Sequence, residues 1–196
     1  MSRWLRPLRL AALALAAGLA ACSSPDPTLY TLAAAPGAVY RGGPRVVLLQ
    51  PVAIARYLER SQVVRSSEDY RLAVMENDWW GEPLGAMLNR VLVEELGQRL
   101  PGSTVIADNG AVSAEPDATV ELNIQRLDED AAGNVVLQAQ AAVRFAGQSR
   151  PVLRSFRLTV PPRGTGVSGE VAAISAAVGR LADGIAPMLS AGAAAG

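Results

Sequence analysis

The sequence predicts an α+β domain: a mixed or antiparallel sheet ending in a three-stranded meander, with two amphipathic helices packed on it. Three observations carry that prediction. Strand-like alternation recurs in three long runs between residues 119 and 160, and the apolar period turns helical in two other places. A chain of 196 residues, 50% hydrophobic, is also long enough for one sizeable core, although alanine inflates the hydrophobic share.

The amino-terminal segment stands apart from the domain. Arg3, Arg6 and Arg9 form a positive region, and the apolar run Leu10 to Ala20 is too short to cross a hydrocarbon core of about 30 Å as a helix. It ends in Leu19-Ala20-Ala21-Cys22, which resembles the lipobox of bacterial lipoproteins. Small residues before the cysteine suit the peptidase that cuts there, and the Cys22 thiol receives a diacylglyceryl group. Residues 1–21 are therefore expected to be a cleavable export signal, with Cys22 the lipid-bearing first residue of the mature chain. Acyl chains contribute about 0.8 kcal/mol per buried methylene, so two or three of them anchor a protein durably in a membrane. Ser23, rather than aspartate, follows the cysteine and points to sorting to the outer membrane. Residues 22–28 read as a lipidated tether, 29–190 as the domain, and 191–196 as a disordered tail.

Within the domain, Val46-Val47-Leu48-Leu49, closed by Pro51, reads as a buried strand. Gln62–Arg65 and Tyr70–Val74 flank the polar Ser66-Ser67-Glu68-Asp69 and suit a hairpin. From Glu82 onward, Leu84, Met87, Leu88, Val91, Leu92 and Leu96 form one helical stripe, with Asn89, Arg90, Glu94 and Glu95 mostly away from it. Pro83 is tolerated in the first turn, and Leu100-Pro101-Gly102 ends the helix. A short strand is expected near Val105. Thr119–Leu127, Val135–Phe145 and Val152–Val160 then make the meander, separated by the glycine-containing turns Asp128–Asn134 and Ala146–Arg150. After Pro161-Pro162 a second helix is expected from about Ser168, its N-cap, with Val171, Ile174, Val178, Leu181, Ile185 and Met188 at alternating spacings of three and four. This stripe suits the protein's own sheet better than a second subunit.

Absences narrow the chemistry. The chain has no histidine, every basic residue is arginine, and its one cysteine is Cys22. Ser-His-Asp and Cys-His catalysis, histidine-ligated metals, Schiff bases and lysine-bearing phosphate loops are thereby excluded, as is an intramolecular disulfide. Loss of Arg3, Arg6 and Arg9 with the signal leaves the mature chain mildly acidic, which disfavours nucleic acid as a partner. No cofactor is expected. The cluster Asp128, Glu129 and Asp130 lacks metal-loop spacing and reads as a solvated turn. Glu82 suits the positive end of the helix that follows it, and at least one of Trp79 and Trp80 is expected in the core. A hydrolase acting on cell-wall glycan would have to use two of Glu76, Asp78 and Glu82. A lipid-holding lipoprotein would need an apolar pocket beneath the meander.

Three passages carry a family resemblance. They are Tyr30-Thr31-Leu32, the run Val52 to Val64 that contains Tyr57-Leu58-Glu59-Arg60-Ser61-Gln62, and Trp79-Trp80-Gly81-Glu82-Pro83-Leu84. In this order, behind a lipobox, they resemble the PqiC (YmbA) family of ABC-type transport auxiliary lipoproteins, from about Thr28 to Leu189. The departures are Glu59 where that family has aspartate and Ser61 where it has proline. The resemblance implies a non-enzymatic, periplasm-facing subunit, with no catalytic residues. It would work with an MCE-domain protein in a system that moves lipids between the two membranes. Arg56–Gln62 mixes an aromatic, a leucine and charges of both signs, which is an interface composition rather than that of a solvated turn. Tyr57, Leu58 and Arg60 are therefore the candidate partner contacts. The alternative is that Tyr57 and Leu58 fold back over the edge of the core.

Overall fold

The structure is a computed structural model that describes residues 26–112 and 114–193. Cys22, with Leu19, Ala20 and Ala21, and the rest of the expected export signal lie outside the described residues, as do residues 194–196. The strands are β1 (Thr28–Tyr30), β2 (Val46–Leu49), β3 (Ala53–Ile54), β4 (Gln62–Ser66), β5 (Ala73–Trp80), β6 (Thr104–Ala107), β7 (Ala118–Glu129), β8 (Val135–Phe145) and β9 (Val152–Val160). The helices are α1 (Leu84–Arg99) and α2 (Gly166–Ala193), and Arg56–Leu58 forms one 3₁₀ turn.

The strands join in one mixed sheet, and β7 is its spine. One edge of β7 pairs antiparallel with β8, which in turn pairs antiparallel with β9 to complete the expected meander. The other edge takes β2, β3 and β4 in succession, all parallel, at Val47 opposite Ala118, Ala53 opposite Asn123 and Ser66 opposite Glu129. β6 adds parallel to β2, β5 adds antiparallel to β4, and β1 closes the edge parallel to β5.

Alternation decides which face is core. Val135, Leu137, Ala139, Ala141, Val143 and Phe145 of β8 are buried on one side, with Gln140 and Arg144 exposed on the other. α2 lies across that inner face, and α1 packs beside α2 and against β6. Close approach of α2 to the sheet relies on Gly184, where a Cβ would run into the Phe156 ring. By length and composition α2 resembles a membrane span, yet two-thirds of its apolar window is buried in the protein. Its apolar character serves the core.

Several boundaries differ from expectation, each for a local reason. Thr28, expected in the tether, is paired opposite Asp78. Tyr70 is not in a strand: Asp69 and Tyr70 have φ of 54° and 61° and form the turn between β4 and β5, closed by Arg71 N–H donating to the Glu68 carbonyl at 3.1 Å. Trp79 and Trp80 belong to β5 rather than the helix start, and Trp80 is core. α2 begins at Gly166, so Ser168 is inside the helix and not its cap, and Ala191–Ala193 continue the helix where a disordered tail was expected.

The polar face of α1 also differs. Glu95 is fully buried, because the segment after β1 crosses over the helices and covers it. Ala35 N–H donates to Glu95 Oε1 at 2.8 Å. Arg99, also fully buried, reaches Asp183 at 2.7 Å, the Gly179 carbonyl at 2.9 Å and the Ala35 carbonyl at 3.2 Å. One guanidinium thus ties the crossing segment to both helices.

Candidate functional site

The three passages that carry the family resemblance come together around one open groove of about 1140 Å³. Gly81 N–H donates to the Tyr30 carbonyl at 2.8 Å, which joins the first passage to the third. Val52, Ile54, Glu59, Arg60 and Ser61 form one wall, and Trp80, Glu82, Pro83 and Leu84 form another. Asn89, Arg90 and Val93 of α1 and Asp108 beyond β6 complete the lining. Asn89 is held in place by donating to the Gln50 carbonyl at 2.9 Å.

The groove is apolar at its base and charged at its rim. Trp80, Val52 and Leu84 are buried, whereas Glu59 and Arg60 are exposed. Arg90 pairs with Glu82 at 2.6 Å and also donates to Thr31 Oγ1 at 3.3 Å. Glu82 therefore acts through an ion pair beside the helix start rather than inside the first turn. An apolar floor with a mixed-charge rim matches the anatomy of a protein-binding surface.

Of the expected contacts Tyr57, Leu58 and Arg60, the structure leaves only Arg60 facing solvent at the groove. Leu58 is 2% exposed and part of the core, so the contact expectation is corrected for it. Tyr57 is half-buried, and its hydroxyl donates to Asp128 Oδ2 at 2.7 Å, so it folds over the sheet as the alternative reading held. Burial, with the neighbouring Asp128 carboxylate, pushes the Tyr57 phenol well above its usual range. Asp128 in turn is fully buried and accepts from Arg126 Nε at 2.6 Å, which corrects its reading as part of a solvated turn. Only Asp130 behaves as a turn residue, accepting from the backbone of Ala132 and Asn134 at 2.9 Å.

The carboxylates considered for hydrolysis do not form a pair with one task. Glu76 is exposed on β5, Asp78 accepts from the Tyr30 hydroxyl at 2.9 Å, and Glu82 is held by Arg90. The face beneath the meander, where a lipid pocket would have to lie, is packed against α2. Among the described residues no group of three or more metal-ligating side chains is placed to hold an ion.

Comparison with known proteins agrees with this architecture. The Intermembrane transport lipoprotein PqiC of Escherichia coli (strain K12) is 28% identical over 116 residues, as is its counterpart in Shigella flexneri. That match covers 59% of this chain and 59% of the relative. Two crystal structures share the fold: an uncharacterized protein at TM-score 0.72 and 22% identity, and protein XCC0632 from Xanthomonas campestris at TM-score 0.67 and 17% identity. The first match covers 85% of this chain and 100% of the other, and the second covers 81% and 92%. The profile of transport auxiliary lipoproteins, a family of transport components rather than of enzymes, matches residues 30–186. This chain therefore belongs to the ABC-type transport auxiliary lipoprotein component family.

Proposed function

We infer that the chain is a non-enzymatic lipoprotein subunit of an MCE/ABC-type lipid transport system, acylated at Cys22 and held at the outer membrane facing the periplasm. The observation that carries this reading is a lipobox directly ahead of a domain of a transport auxiliary family. The absence of histidine and lysine agrees with a role in binding rather than catalysis. The groove supplies the docking surface: its apolar floor would take side chains of the MCE-domain partner, and Glu59 and Arg60 would set the register. A second copy of the chain is a further partner that the same assembly admits.

The test is detergent extraction and pull-down of the tagged, full-length protein, with the charge reversal Arg60→Glu compared against the parent. Arg60 is exposed, so its melting temperature should stay the same while the MCE-domain protein is lost from the purified material. Retention of that partner by Arg60→Glu would place the contact elsewhere on the domain. A purified parent with no envelope transport protein attached would count against the function itself.

A further inference from the structure

We propose that the β4–β5 hairpin tip, Tyr70-Arg71-Leu72, is a second membrane contact that seats in the interface of the bilayer holding the acyl chains of Cys22. The proposal rests on the lipoprotein reading above. Tyr70 is 108% exposed and Leu72 42%, and Arg71 between them is exposed too. An aromatic, a leucine and an arginine at a turn match the chemistry of the bilayer interface, where amphipathic rings sit at headgroup level and arginine stems snorkel.

The turn itself is unusual. Both central residues have positive φ, a geometry that asparagine and glycine adopt with little strain, yet the positions hold Asp69 and Tyr70. The strain projects an aromatic ring into solvent, where it contributes nothing to the domain's own core.

Strand direction puts this tip and the lipid anchor at the same end of the sheet. β1 runs parallel to β5 with Thr28 opposite Asp78, so the chain before Thr28 leaves the sheet toward the end where β5 begins. That end is the hairpin tip. As many residues separate Cys22 from Thr28 as separate Leu72 from Asp78, so an extended tether reaches the level of Leu72. The same end carries the β9–α2 loop, with Arg163 exposed, because Ser66, Glu129, Val135 and Val160 stand in one paired row. Arg71 and Arg163 would meet anionic headgroups. Of the acids at this end, Glu68 pairs with Arg126 at 2.6 Å and Glu129 lies 3.8 Å from Arg65. Asp130, bonded only to its own turn, and Asp69 keep their charge, so the tip seats chiefly through Tyr70 and Leu72. Two contacts instead of one would fix the domain's tilt and direct its opposite end away from the membrane.

The test uses the full-length acylated protein in vesicles of phosphatidylethanolamine and phosphatidylglycerol. Acylation consumes Cys22, so Leu72→Cys and, separately, Gln148→Cys each provide one thiol for an environment-sensitive dye. Gln148 is exposed in the β8–β9 turn at the other end of the sheet. With a quencher on the lipid headgroups, dye at position 72 should lose most of its emission and dye at 148 should keep it. Adding Tyr70→Asp to Leu72→Cys should restore emission at 72 while membrane partition persists. Equal, unquenched emission at both positions on acylated, vesicle-bound protein overturns the tip contact and leaves the lipoprotein reading standing. Protein whose mass shows no acyl chains, and which stays off the vesicles, overturns both.

Discussion

Gln125 is the extra residue in β7, since Ile124 pairs with Ala139 and Arg126 with Gln138. Its insertion shifts the alternation, so that Leu127 returns to the core and the next two carboxylates diverge. Asp128 meets Tyr57 and Arg126, whereas Glu129 lies 3.8 Å from Arg65, which is also 3.6 Å from Glu170. Glu170 is fully buried, and neither of its carboxylate oxygens accepts a hydrogen bond. Burial, with the Glu129 charge adding to it, pushes its carboxyl up to about 7, and burial likewise pushes Glu95 up to about 7. Such groups bind a proton more tightly in the folded than in the unfolded chain. The stability they contribute is present below the ordinary glutamate value, declines as pH rises toward about 7, and is gone above it. Glu170→Gln keeps the shape and removes the charge. At pH 8 it should stabilise the protein by about 1–3 kcal/mol, since an unsatisfied buried carboxylate is lost. At pH 4.5, where the parent carboxyl is protonated, the two should match. Urea unfolding at the two pH values measures this, and an equal difference at both would mean that Glu170 does not titrate in this range.

On the scale of elements, the helical stripes were the most legible part of the sequence. Leu84, Met87, Leu88, Val91, Leu92 and Leu96 are all buried, as are all six positions of the α2 stripe. The reason is that helical periodicity is local: a residue's neighbours three and four positions away share its face whatever the rest of the fold does. Leu88→Ala should accordingly cost about 2–5 kcal/mol, whereas Glu94→Ala, exposed on the same helix, should stay within about 0.5 kcal/mol. Chemical denaturation of the two variants decides it; similar losses would mean that the helix is held by something other than its stripe. What the sequence hid was non-local. Glu95 and Arg99 sit within the apolar stripe of the helix, seven residues after Leu88 and Leu92, so only their charge argues for the surface. The partners that satisfy them inside, at Ala35, come from a segment distant in sequence. Leu58 looks available in a charged loop, and only pairing of β3 and β4 along β7 turns it inward. The meander was readable in outline because consecutive antiparallel strands announce themselves by alternation and turns. The three parallel additions to β7 left no such signal, since parallel neighbours are far apart in sequence.

For the whole molecule, what matters is how the folded domain relates to the anchor proposed at Cys22. The described core draws on residues from Leu32 to Leu189. The groove is likewise built from residues between Pro51 and Asn109, so on the proposed lipoprotein reading both lie downstream of the anchor. Attachment should then be removable without unfolding the domain. Cys22→Ser deletes the chain's single thiol, and on the proposed lipoprotein reading it removes both the acyl chains and the cleavage that follows acylation. The product should be longer by the export segment or soluble, and its domain should no longer enter the detergent phase on phase separation. Its far-ultraviolet spectrum and urea midpoint, by contrast, should match those of the parent, because the contacts of the described core are retained. Partition unchanged from the parent would show that the domain holds the membrane without Cys22, and the anchor would have to be sought on its surface. Loss of both partition and folding would mean that the segment around Cys22 contributes to the core.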